Sequence, residues 1–271
     1  MSEKRYVLIV DADRCNQCYA CALACKDEHF GNDYPSVTLG MRELGEDWLR
    51  MHIEERGSGS FTRSECWPEY CRHCEAPACS SGGAAQKRGD GIVLIDPARA
   101  KGDRDLPDLC PFGAIAWNGE KDMPQKCTLC AHLLDAGEPE PRCVEACPTG
   151  ALLFGDANDP AGAVGAALRA DPTLAAQRCV VRYTGKTGRF VAGSVYLSET
   201  EVAADADVCL RLPDGGREVA RTRTNGFGDF FFRDLPEDRR YEVEIRADGK
   251  PSKTLAADTS RDVCFEEITL S

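Results

Sequence analysis

Cys15-Asn-Gln-Cys18-Tyr-Ala-Cys21-Ala-Leu-Ala-Cys25, a C-x2-C-x2-C-x3-C run, constrains this chain more than any other stretch. Three thiolates at that spacing close around a cubane of iron and sulfide, and the fourth, a helical turn away, points to a second one. One such run therefore requires a mate that lends it a ligand and takes Cys25 in return. The mate is Cys127-Thr-Leu-Cys130 followed by Cys143-Val-Glu-Ala-Cys147-Pro148.

The chain has 271 residues, enough for two domains, and 16 cysteines. Secreted disulfide scaffolds are usually short, and the cysteines here come in C-x2-C pairs, which favours metal ligation. Zinc ribbons do use C-x2-C…C-x2-C, but they leave the third cysteine of each group and the x3-Cys-Pro ending without a role. Iron–sulfur ligation accounts for both. Met1 to Val10 runs straight into Asp11 with no apolar h-region, so this chain is expected to carry no secretory signal and to be cytoplasmic. No stretch approaches the roughly 18 apolar residues of a membrane span. A net charge of −12 argues against a nucleic-acid partner, which requires a basic face.

Along the chain, Tyr6–Val10 reads as a short buried strand leading to Asp13, a cap for the turn carrying the first cysteines. Residues 30–65 form an insert without a metal pattern, with a strand at Trp48–Glu55 and a turn at Gly57–Ser60. Cys71, Cys74 and Cys79 make another three-thiolate group, with Gly83 where a fourth cysteine would fall. Gly91–Asp96 reads as a strand, and Cys110-Pro111 is a lone Cys-Pro without an opening half. Past Cys147, the expectation is a strand at Gly150–Phe154 and a helix over Ala161–Gln177 broken at Pro172. A closing strand at Cys179–Tyr183 and a linker over 184–189 follow. From residue 190 the pattern becomes seven β-like runs, at Val191–Leu197, Asp207–Leu212, Glu218–Thr224, Asp229–Leu235, Tyr241–Ala247, Ser252–Ala256 and Val263–Leu270. Asn225-Gly226 and Asp248-Gly249 mark turns between them, and the spacing suggests an immunoglobulin-like sandwich.

The order of these groups, with Asp96-Pro97, Lys126-Cys127-Thr-Leu-Cys130 and Cys147-Pro148-Thr-Gly150, resembles the iron–sulfur subunits of the dimethyl-sulfoxide-reductase family. The resemblance implies an α+β chain: a double ferredoxin-like iron–sulfur domain over 1–183, then an all-β sandwich over 190–271. Thr224-Asn-Gly-Phe-Gly-Asp-Phe-Phe-Phe and Tyr241-Glu-Val-Glu-Ile in that sandwich resemble prealbumin-like modules related to the collagen-adhesin B repeat and the carboxypeptidase-regulatory-like fold.

In the family, four motifs pair first with fourth and second with third. Carried over, cluster one is Cys15, Cys18, Cys21 and Cys147, and cluster two is Cys127, Cys130, Cys143 and Cys25. Cluster three is Cys71, Cys74, Cys79 and Cys110. The family's fourth cubane would use the region where Asp103, Arg104, Asp105 and Leu106 stand, together with position 83. All its ligands are missing while every other ligand is present, so three [4Fe-4S] clusters are expected.

Three cubanes plus a β-module is narrower than the family at large. It is similar to the small subunits of the pyrogallol–phloroglucinol transhydroxylase and resorcinol hydroxylase branch, which act on polyhydroxylated benzenes. The resemblance implies a large catalytic partner carrying a molybdenum or tungsten bis-pterin cofactor, with cluster one facing the pterin and an external electron acceptor possible. The chain itself shows no catalytic constellation and is expected to conduct electrons. The alternative is a carrier subunit for another pterin oxidoreductase: an aromatic dehydroxylase, or an enzyme of formate, sulfur compounds or nitrogen oxides. Lys126 is a candidate for tuning a cluster potential, with a surface lysine as the alternative. His73 and His132 are read as groups that hydrogen-bond cluster sulfur rather than as ligands, because each thiolate set is complete without them. Cys66, Cys179, Cys209 and Cys264 remain as buried free thiols, and Cys209 could face Cys264.

Overall fold

A strand that is apolar at every central position has to be covered on both faces. Val7, Leu8, Ile9 and Val10 are all fully buried, each worth about 2 kcal/mol on burial. The computed structural model in which this is seen describes residues 4–185, 188–213 and 216–270. It divides into one unit of Met1–Ile53 and Cys66–Lys186, and another of Glu54–Glu65 and Thr187–Ser271. Of the linker expected over 184–189, Lys186 and Thr187 lie outside the described residues.

The first unit opens with β1 (Tyr6–Asp11) and α1 (Ala20–His29); β2 (Arg50–Arg56) and β3 (Arg63–Glu69), which pair as a hairpin, belong to it only outside residues 54–65. Two small hairpins follow, β4 (Ala85–Lys87) with β5 (Val93–Ile95) and β6 (Ala116–Asn118) with β7 (Met123–Gln125). The unit ends with α2 (Ala131–Ala136), α3 (Arg142–Glu145), β8 (Leu152–Asp156), α4 (Ala163–Ala170), α5 (Pro172–Ala176) and β9 (Val181–Thr184). β1 is central in a sheet of order β8-β1-β9, antiparallel to β8 and parallel to β9. Its side chains alternate between the faces of that sheet. Val7 and Ile9 pack with Val164 and Leu174 of α4 and α5, while Leu8 and Val10 join the core that contains Cys21, Cys25, Cys127 and Cys143.

The turn after β1 is capped by Asp11, whose carboxylate accepts the Asp13 amide at 3.1 Å. This corrects the expectation that Asp13 is the cap: the 3-10 turn starts at Ala12, so the last strand residue holds the capping position. The helix expected over Ala161–Gln177 does break at Pro172. Asp171, kept extended (φ −122°) by the proline after it, caps α5 through the amides of Thr173 and Leu174. The insert after α1 is pinned by buried amides. Gln125 donates to the Leu39 carbonyl at 2.6 Å, and Asn118 to that of Gly40 at 3.1 Å.

A polar clasp joins the ends of this unit. Glu28, near the end of α1, accepts from Tyr34 at 2.7 Å, from His132 of α2 at 2.9 Å and from Arg142 of α3 at 2.9 Å. Burial pushes the Glu28 carboxyl up, but the donors from His132, Tyr34 and Arg142 outweigh it and hold the group at about 2.

Among the described residues after 188, the chain forms all seven strands expected there, and one more. They are β10 (Arg189–Ser198), β11 (Glu201–Val202), β12 (Asp207–Arg211), β13 (Glu218–Arg223), β14 (Asp229–Leu235), β15 (Arg240–Arg246), β16 (Lys253–Asp258) and β17 (Val263–Thr269). The added one is the two-residue β11. β10 pairs antiparallel with β11 and β14 and parallel with β17, and the other sheet runs β13-β12-β15-β16. Tyr241, Val243 and Ile245 alternate inward from β15 to meet Phe230, Phe232 and Ile268 from the other sheet, giving the period-2 core of a β-rich sandwich.

Residues 54–65, which the sequence reading leaves in the first domain, belong with the second unit. Buried charge explains why. Arg56 makes a bidentate pair with Asp262, both bonds 2.7 Å, and reaches Glu65 at 2.9 Å and the Gly188 carbonyl at 3.0 Å. Among the described residues no helix is long and apolar enough to cross a membrane.

Two outcomes follow from these clasps. Arg56→Met removes the bidentate partner of buried Asp262 and the guanidinium bond to Glu65, and is expected to destabilise the second unit by about 3 kcal/mol, read from urea unfolding; a loss within error of zero would show that these bonds contribute nothing. Glu28 has a folded pKa below its unfolded value of about 4.3, so its contribution is complete above that pH and is lost as pH falls through about 2. The difference in melting temperature between wild type and Glu28→Gln should therefore be widest near neutrality and close between about pH 4 and pH 2. A difference independent of pH would refute the ionic role of Glu28.

Candidate metal centres

Each C-x2-C loop is shaped by residues with positive φ, a conformation that non-glycine residues seldom adopt. Gln17 and Tyr19 do so in the first motif (61° and 60°), His73 in the second (47°), and Leu129 and Cys130 in the last (52° and 47°). α1 and α2 both start immediately after such a residue, Tyr19 and Cys130. The turns direct amides at sulfur: His73 N–H donates to Cys71 Sγ at 3.5 Å and Leu129 N–H to Cys127 Sγ at 3.4 Å. The Ala114 amide does the same for Cys110 at 3.4 Å.

Folding brings the expected ligands into three sets. Cys21 has Cys15, Cys18 and Cys147 as thiol neighbours. Cys143 has Cys25, Cys127 and Cys130, joining residues from both ends of the unit. Cys74 has Cys71, Cys79 and Cys110, and those four line one cavity together with Lys126. The sets also neighbour one another in order, Cys21 beside Cys25 and Cys127 beside Cys71. The middle set is wholly buried, whereas Cys18 of the first is exposed and Cys74 and Cys110 of the third are partly so.

Burial pushes the thiols up, Cys21 to about 11 and Cys127 to about 12, with Cys25 and Cys143 well above the ordinary range. Cys147 goes the other way. Burial raises it, but the Thr149 hydroxyl and the amides of Leu152, Thr149 and Ala151 bring the thiol below its usual value. Thiols this hard to ionise become thiolates only against a cationic centre.

Polar groups without a protein partner surround the same sets. Thr128 Oγ1, Ser80 Oγ and His73 Nε2 are buried and unsatisfied, while the Tyr70 hydroxyl, buried next to Cys143, Cys21 and Cys127, is turned to the Cys143 sulfur. His73 lines the cavity of Cys71, Cys74, Cys79 and Cys110, and buried donors beside thiols suit inorganic sulfide, so the donor sets and their surroundings fit iron–sulfur cubanes. Within each set the thiols are spread, not gathered: among the described residues no three His, Cys, Asp or Glu side chains converge on a single metal ion.

Lys126 is 2 % exposed, which removes the surface alternative. Its ammonium donates to the carbonyls of Val93 and Cys127. His73 Nδ1 accepts the Val93 amide at 2.9 Å, and His132 Nε2 is bound to Glu28, so each spends a ring nitrogen away from the thiols. Two residues escape the sequence reading. His29 lies with Nε2 3.8 Å from Cys130 Sγ, four positions after Cys25 on the same face of α1, a spacing that could have flagged it. Tyr70 has no comparable signal. Cys209 does not face Cys264: it donates to Glu218 at 3.1 Å, while Cys264 packs with Phe61, Phe190 and Ala192. In the region of the missing fourth set, Leu106 is fully buried against Ala84, Ala100 and Ile115.

A family profile described as a 4Fe-4S dicluster domain matches residues 62–157. The pyrogallol hydroxytransferase small subunit of Pelobacter acidigallici is 38% identical over 94% of this chain and 96% of its own length. A sulfite dehydrogenase subunit of Allochromatium vinosum is 35% identical over 60% of this chain and 73% of its own. A subunit of the anaerobic dimethyl sulfoxide reductase of Escherichia coli is 35% identical over 56% and 73%. With its cysteine sets and these relatives, the chain belongs to the iron–sulfur small subunits of the dimethyl-sulfoxide-reductase family.

Proposed function

We propose that this chain is the electron-transfer subunit of a cytoplasmic heterodimer whose large subunit holds a molybdenum or tungsten bis-pterin cofactor and acts on polyhydroxylated benzenes. The observation that carries the conducting role is the serial order of the cysteine sets, with a buried middle set and outer sets that reach the surface. A [4Fe-4S] cubane, when bound, exchanges a single electron. The chain's own part is to hold its thiolates, keep water from the middle set and direct amides and hydroxyls at sulfur. In this reading Cys15, Cys18, Cys21 and Cys147 hold one cubane, Cys25, Cys127, Cys130 and Cys143 the next, and Cys71, Cys74, Cys79 and Cys110 the third. The packed Leu106 region supports a count of three. Lys126, buried at the third set, tunes its potential.

The aromatic substrate class rests on the match across 94% of this chain, which takes in the β-rich unit, against the 60% and 56% matched by the sulfite and dimethyl-sulfoxide relatives. That unit is read as an immunoglobulin- or prealbumin-like docking module, since fold by itself supplies no chemistry. Net hydroxylation of a ring by water releases two electrons that the relay exports. Transfer of a hydroxyl between rings is redox-neutral and needs no acceptor. Turnover that depends on an added electron acceptor identifies the first, and turnover without one the second.

Anaerobically purified heterodimer should contain about 12 iron atoms, four per cubane, and about one molybdenum or tungsten. About 16 iron atoms would sink the three-cluster count, and no second metal or large subunit would sink the partner reading. Cys18→Ser should slow oxidation of the reduced large subunit in stopped flow, and an unchanged rate would remove the first set from the electron path.

A further inference from the structure

Cys66, on β3, lies outside the three sets, is 4 % exposed, and places its Sγ 3.6 Å from Cys15 Sγ. That separation is far longer than a disulfide of about 2.05 Å and suits a hydrogen bond between sulfurs. The direction of the bond follows from the ligand chemistry. A metal-bound cysteine is a thiolate, so Cys15 has no proton to give and Cys66 must be the donor. Gln17, in the loop between Cys15 and Cys18, offers the Cys66 sulfur its backbone and side-chain amides. The sulfur therefore accepts from Gln17 and keeps its single proton for Cys15.

We infer that Cys66 is a positioning residue of the first cluster: its S–H bond to Cys15 stabilises the reduced form of that cluster and raises its potential relative to the same site without the donor. Reduction adds negative charge that is shared by the ligand sulfurs, so a donor there favours the reduced state more than the oxidised one. Cys179 makes the contrast. It lies beside Cys74 of the third set, but its S–H donates to the Val181 carbonyl at 3.0 Å. The inference rests on the proposed assignment of Cys15 to a cubane.

The test is a redox titration of the anaerobic heterodimer followed by electron paramagnetic resonance, in wild type and in Cys66→Ala, Cys66→Val and Cys66→Ser. Cys66→Ala is expected to keep about 12 iron atoms and to lower the midpoint of one cluster while the other two stay fixed. Cys66→Val, close in volume and without a donor, repeats the experiment if the smaller residue loosens the core. Cys66→Ser keeps an O–H donor and should recover most of the shift. No shift in the alanine and valine variants, or an equal shift in the serine variant, overturns the inference. Cys15→Ser probes the assignment beneath it. Unchanged iron and spectra there remove the cluster reading itself. A changed spectrum there, with no shift in the Cys66 variants, removes the hydrogen bond alone.

Discussion

Thiols packed into an apolar interior cannot ionise without a cation, and the first unit is built around that difficulty. Cys25, Cys127, Cys130 and Cys143 are all buried in places where an ordinary domain would put aliphatic side chains. They come from both ends of the unit, so whatever neutralises them also holds those ends together. Metal binding and folding are then linked, because the site forms only when the chain does. The Glu28 clasp duplicates the connection in polar form, tying α1 to α2 and α3 beside the same four cysteines. The positive-φ residues in the C-x2-C loops each cost on the order of 1–3 kcal/mol, a cost that thiolate ligation of a bound cluster would offset.

β1 allows this core to be confined. One of its faces is covered by α4 and α5, and the other meets the cysteine-bearing core, so a single apolar strand separates ordinary hydrophobic packing from the metal-binding interior. The difference in exposure among the sets has an electronic consequence. Cluster potential responds to solvent and to hydrogen bonds at sulfur, so the same cubane placed at the exposed first set and at the dry middle set would not have the same potential. In the proposed relay, burial alone would grade the potentials before any individual residue adjusts them.

Much of this was legible because metal ligation imposes fixed spacing. Three thiolates within seven residues, Cys15 to Cys21, admit few local geometries, and β15 shows its inward face as Tyr241, Val243 and Ile245 at period 2. What was not legible depended on partners distant in sequence. Nothing around Arg56 announces that its guanidinium is to meet Asp262, so residues 54–65 read as part of the wrong domain. The cap at Asp11 instead of Asp13 turned on where a 3-10 turn begins, a matter of one or two residues. Cys66 looked like a buried apolar cysteine because its neighbour Cys15 is 51 positions away. Lys126 could be read as surface or core, and only the fold surrounds its ammonium with carbonyls.

The segment around Leu106 stands where the family resemblance would place a fourth cluster site. A cubane contributes volume, charge and cross-links, and deleting its ligands alone would leave an unfilled, polar cavity, which is costly. Here Leu106 fills that space against Ala84, Ala100 and Ile115, and Asp103 accepts the Leu106 amide at 3.2 Å, turning the segment inward. Arg104 stacks over Trp117 at 4.5 Å and lies 3.5 Å from Asp122, its side chain largely exposed. Hydrophobic burial is thus the source of order in this corner. In the proposed three-cubane arrangement, this packed corner leaves the partly exposed Cys74 and Cys110 as the outer edge of the third set.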